Sequence, residues 1–138
     1  MNWQLILQLS LLGLAMAIGT VFVIPATVEP FLWLPILLIS AWLLAARAPG
    51  RYFLHGLMLG LVNCVWVTAA HMIFVQRYLA GHPREAAMMT TMPMPDSPRL
   101  MMLMMGPVIG IASGCIIGGV AVLVAMMRAG RRQATPLR

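Results

Sequence analysis

The chain has 138 residues, of which 62% are hydrophobic, and it carries nine basic and three acidic side chains for a net charge of +6. Soluble globular proteins are roughly 45–50% apolar, so at this composition there is too little polar surface to cover a core in water, and the bilayer is the expected solvent. The basic residues are all arginine, placed between and after apolar stretches with no aromatic interleaving, which argues for a role in topology and against nucleic-acid binding.

The first apolar span runs from about Trp3 to Ile24 and stops at Pro25. It lacks the basic leader of a cleavable signal peptide, so a retained helix is expected even though Ala15-Met16-Ala17 imitates a cleavage site. ATVEP then forms a tight turn, and Pro30 opens a second span, about 30–46, with Pro35 inside it and Arg47-Ala-Pro-Gly-Arg51 closing it. A third span covers about 52–80 and ends at Gly81. The loop at 81–97 contains HPREAAMMTTM, a short helix with Pro83 in its first turn, before PMPDSP breaks it. The fourth span covers about 98–128, with Ser97 or Asp96 as N-cap and Pro98 at the first helical position; a basic tail follows at 129–138. The expected fold is therefore all-α, an integral membrane four-helix bundle in one domain over 1–128.

Orientation follows from the arginines. Arg47, Arg51, Arg128, Arg131, Arg132 and Arg138 fall on one side, while Arg77, Arg84 and Arg99 share the other with Glu29, Glu85 and Asp96. The positive-inside rule then puts both termini in the cytoplasm, with 81–97 facing outward. At about 1.5 Å per residue the first two spans reach roughly 26 to 33 Å, whereas the last two reach roughly 43 to 46 Å and exceed the hydrocarbon layer. An outward-projecting hairpin of helices three and four is expected.

GPVIGIASGCIIGG places Gly106, Gly110, Gly114 and Gly118 four apart. In lipid no hydrophobic effect pulls helices together, so a stripe without side chains, which lets backbones approach, is a packing surface. Gly56, Gly60 and Cys64 offer a matching stripe on the third span; the alternative is a homo-oligomer seam. Pro107 lies inside the ridge and predicts a kink. In the third span Gly56, Gly60, Asn63 and His71 fall within roughly 80° of one another on a helical wheel. Polar residues inside a membrane are functional candidates, against the plainer reading of interhelical glue.

Eight of the fourteen methionines lie between 88 and 105. Thioethers are soft ligands for Cu(I), and a site needs two to four converging sulfurs. Met88, Met89, Met92, Met94, Met101 and Met105, with His82 nearby, make up the candidate metal set. Methionine equally supplies adaptable apolar surface for a peptide or lipid, or plain packing. Cys64 and Cys115 each lie about twelve residues above the inner end of a helix, roughly 18 Å, so antiparallel packing would let them meet; a buried cysteine is otherwise a small hydrophobe.

No Ser/His/Asp arrangement, HExxH, phosphate loop or carboxylate pair can be drawn, so no catalytic residues are assigned and an enzyme is not expected. The stretch from HPREAAMMTTMPMPDSPRLMMLMM through GPVIGIASGCIIGG, within about 77–125, resembles a family of small, uncharacterised four-helix bacterial inner-membrane proteins. That resemblance implies the four-helix architecture and supplies no activity or ligand. The expected function is a non-enzymatic membrane module that self-associates or binds a membrane or periplasmic partner, without cofactor; the alternative is a small transporter or channel, including one for Cu(I).

Overall fold

The computed structural model describes residues 1–133. Among them all regular elements are helices: α1 (Trp3–Phe22), α2 (Glu29–Arg47), α3 (Tyr52–Ile73), α4 (Val75–Gly81), α5 (Pro83–Thr91) and α6 (Pro98–Gln133). Four of these, α1, α2, α3 and α6, are long and apolar enough to cross a membrane.

Local chemistry accounts for most of the ends. The Asn2 side chain accepts from the Leu5 amide at 3.1 Å and caps α1. That helix closes at Phe22, before the expected Ile24, because the amides of Val23 and Ile24 both turn back onto the Gly19 carbonyl, at 2.8 and 2.7 Å. Pro30 sits in the first turn of α2, where its missing N–H costs nothing. The tight return to α3 uses Gly50 at φ +97°, a left-handed value that glycine adopts without penalty.

Two elements depart from expectation. The third span does not run unbroken to 80: Phe74 (φ −107°, ψ 33°) interrupts it, and α4 carries on to Gly81. Neither proline nor glycine stands at the break. There the Phe74 ring meets Phe22 edge-on at 5.1 Å, and beyond it Val75 and Tyr78 bury against Ala17 and Val21 of α1. Each such side chain gains roughly 1.5 to 3 kcal/mol on leaving water, so this segment lies against α1 and does not project as a free hairpin. In contrast, α6 shows no break at Pro107 and continues past the expected 128 to Gln133. Both Pro107 and Leu103, whose carbonyl loses its helical donor, are exposed on the face away from the other helices. Of the expected tail, 129–133 is helical; the remainder lies outside the described residues.

The most extensive contact is between α3 and α6. A Cβ built on Gly56 would run into the backbone of Gly118, and one on Gly60 into Gly114 and the Gly110 carbonyl. Gly110 lies against Cys64 and Gly106 against Thr68, so the two helices run antiparallel with the stripes in register four residues for four. An adjoining face of α3 receives α1, parallel to it, while α2 packs on α6. A layer containing Ile6, Leu44, Leu59 and Ile117, each with almost no exposure, joins all four long helices.

Gly60→Leu or Gly114→Leu cannot be absorbed, because the obstructing atoms belong to backbone. Either change should cost at least the roughly 1–3 kcal/mol of an overpacked core, read as a lower midpoint for thermal unfolding in detergent. Gly119→Leu, at a position with nothing within 4 Å, should leave the midpoint unchanged.

Candidate functional site

Polar side chains inside the molecule lie mainly along the seam between α1 and α3. Near the N-terminus the Asn2 amide donates to His55 Nε2 at 2.9 Å, and His55 Nδ1 donates to the Arg51 carbonyl at 3.0 Å. Further along, the Trp66 indole N–H donates to Ser10 Oγ at 3.2 Å. Asn63 lies flat against Gly13, which has no side chain to hold it off, and its buried Oδ1 has no partner. The expected common strip of Gly56, Gly60, Asn63 and His71 thus divides: the glycines face α6, and the polar pair faces α1. An 80° spread is wide enough for one helix edge to serve two neighbours.

At the other end of the seam three rings stack. His71 lies on Tyr78 with centroids 3.8 Å apart, and Tyr78 on His82 at 4.2 Å, both pairs near parallel. Their spacing, i, i+7 and i+11, returns to nearly the same helical angle, so one face of α3 and α4 presents all three. Hydrogen bonds fix both ends of the stack. Thr20 Oγ1 donates to the Ala17 carbonyl at 3.1 Å and so accepts from His71 Nε2 at 3.0 Å. His82, fully buried, places Nδ1 3.0 Å from the Tyr78 carbonyl and Nε2 3.1 Å from Glu29 Oε2. The other carboxylate oxygen of Glu29 accepts from the Trp33 indole at 3.1 Å. Residues of α1, α2, α3, α4 and the α4–α5 junction are thereby joined in one constellation.

Burial first, and then the carboxylates of Glu29 and Glu85, push the Tyr78 phenol above its ordinary range. Glu85 Oε2 is itself buried without a partner. Beside the stack a cavity of about 330 Å³ is lined by Thr20, Arg77 and Gly81 among others.

The two cysteines do not converge. In the α3–α6 register Cys115 falls level with Leu59, five residues and about 7 Å below Cys64. It is exposed on the far side of α6, whereas Cys64 packs into the ridge, so the expected thiol pair does not form. Two things separate them: the inner end of α6 passes well beyond that of α3, and Cys115, next to Gly114, lies about 100° round the helix from the stripe that faces α3. Of the methionine set, Met101 is buried, Met89, Met92 and Met94 are half-buried, and Met88 and Met105 are exposed. Met89 packs on the cluster around Tyr78. Both nitrogens of His82 are already engaged, which removes it as a ligand. Among the described residues no group of three or more His, Cys, Asp or Glu is placed to hold a metal ion.

Comparison of the chain with family models, with curated proteins and with solved structures found no match. Sequence reasoning singled out His71 and His82 but missed Tyr78 between them, and Glu29, which it left in the ATVEP turn. The i, i+7, i+11 spacing was the available signal for Tyr78. Nothing local signals Glu29, because its partner is 53 positions away.

Removing the acceptor for His71 by Thr20→Val should cost about 1–3 kcal/mol, since a buried donor is left unpaired; thermal unfolding in detergent measures it. Because the folded chain keeps the Tyr78 proton that the unfolded chain gives up near pH 10, stability should fall as pH rises above about 10. Tyr78→Phe should make that fall shallower, as seen by comparing unfolding midpoints at about pH 9 and about pH 11.

Proposed function

We propose that this chain is a non-enzymatic multi-pass module of a bacterial inner membrane, a four-helix bundle with both termini cytoplasmic, that binds a membrane or periplasmic protein through its outward, methionine-rich segment. The observation that carries this reading is how the interior is used. The glycine ridge is covered by α3 of the same chain, and the layer of Ile6, Leu44, Leu59 and Ile117 separates His55 from Asn63 with apolar side chains. A permeation path along the seam would have to cross that layer, where water finds no polar partner.

What is left for recognition is the outer end. Met88 on α5 and Leu103, Met104 and Met105 on α6 are each two-fifths or more exposed. Unbranched thioether side chains adapt to the shape of a partner's apolar surface. The three arginines and three acids of this end balance, so a partner need not be strongly charged. A ridge-mediated homo-oligomer finds less support, because the stripe that would form its seam is already in use.

The second reading, a small transporter or channel that includes a Cu(I) route, draws on Asn63, whose buried and unpartnered oxygen faces Gly13 in the middle of the span. Copper bound in stoichiometric amount, and lost when Met92 and Met94 are changed to leucine, would favour it.

Photocrosslinking in native membranes tests the first reading. A crosslinker at position 88 should give one discrete adduct with a non-self protein, which the same group at the exposed position Ile116 should not give. That adduct should weaken when Met104 and Met105 become glutamine. Adducts only with a second copy, or the same adducts at both positions, would count against it.

A further inference from the structure

The three histidines differ in what their nitrogens meet. His55 has a donor on one side, the Asn2 amide, and an acceptor on the other, the Arg51 carbonyl, so a neutral ring satisfies both. His71 needs one proton, to donate to Thr20. His82 meets acceptors at both ends: the Tyr78 carbonyl can only accept, and so can an ionised Glu29. A neutral ring satisfies only one of them: protonated at Nδ1 it turns a lone pair on the carboxylate across 3.1 Å, and protonated at Nε2 it turns one on the Tyr78 carbonyl across 3.0 Å, in a site where His82 is fully buried. One further proton is required there, on Nε2 or on the carboxyl.

We propose that Glu29 and His82 hold this proton between them and that it latches the α4–α5 junction onto the start of α2, so that the α4–α5 segment loosens when the proton is lost. His82 is the hinge residue between α4 and α5, and Glu29 is the first residue of α2, so the contact joins segments with no other strong polar tie among the described residues. The groups around the ring are accounted for. Glu29 faces it from α2, Tyr78 from α4, and Glu85 approaches Tyr78 from α5; His71 of α3 and Thr20 of α1 lie beyond Tyr78, and α6 contributes the apolar Met102.

Release proceeds in one step. The N–H or O–H bond breaks, the proton passes to water in the cavity lined by Thr20, Arg77 and Gly81, and the electron pair stays on the imidazole or carboxylate. Gly81 adjoins His82 in the chain, which brings that cavity next to the pair. Whichever nitrogen keeps the remaining proton, one acceptor is left facing a lone pair, and the junction gains by opening and hydrating. The inference rests on this pair and not on the partner reading: a chain that bound no partner would still show it.

Glu29→Gln is the informative change. Its amide N–H can donate to Nε2, so a neutral His82 is satisfied and no proton need be held, while the other oxygen still serves Trp33. The full chain in lipid nanodiscs is followed by hydrogen–deuterium exchange over residues 75–91, corrected for the intrinsic rate, at about pH 5 and about pH 9, either side of the ordinary histidine range. In the parent the corrected exchange should rise about tenfold or more across this interval, the effect of leaving a buried polar pair unsatisfied. In Glu29→Gln it should stay flat. His82→Gln, whose amide likewise donates to Glu29 without titrating, should also stay flat and serves if the first variant does not fold. A flat response in the parent, or an equal rise in either variant, overturns the proposal.

Discussion

Within hydrocarbon, an apolar side chain gains nothing by turning from lipid to protein, and two helices stay together only where their backbones come close enough for dense van der Waals contact. The approach of α3 to α6 is that contact. It exists because residues 56 and 60 face 118 and 114 with no side chain on either helix, and it continues where Cys64 and Thr68, both small, meet Gly110 and Gly106. The rest of the arrangement is built outward from it.

The register set by that contact has consequences at both ends. It puts the start of α3 well short of the end of α6, so the last turns of α6, with Arg128 over the Trp42 ring at 5.8 Å, extend past the loop that joins α2 to α3. With one face of α3 committed to α6, its polar residues are left to α1. They settle where α1 offers a small or polar position: Gly13 for Asn63, Ser10 for Trp66, Thr20 for His71. The Ser10 and Thr20 pairings satisfy polar groups that lipid could not, whereas at Gly13 Asn63 finds room but no partner for Oδ1.

Where the apolar span ends, burial in protein replaces burial in lipid. The break at Phe74 keeps α4 against α1, and the stack of His71, Tyr78 and His82 fills the space between them. Stacking there is continuous with hydrogen bonding to Thr20 at one end and Glu29 at the other, so five segments of the chain share one polar cluster. Met89 and Met102 pack on the cluster, while Met88 and Leu103 beside them are exposed.

Composition and the lengths of the apolar runs were enough to expect helices, four of them long and apolar enough to cross a membrane, because a chain with 62% apolar residues and so few charges must satisfy its backbone internally. Spacing showed the glycines at every fourth position to share a helical face. Only the tertiary structure decided which neighbour covers each face, how far one stripe slides along another, and that Glu29 meets His82 across 53 positions. Periodicity records the geometry of a single helix and is blind to the next one. A shift of one turn, about 5.4 Å, leaves every spacing in the sequence unchanged and yet changes which residues meet.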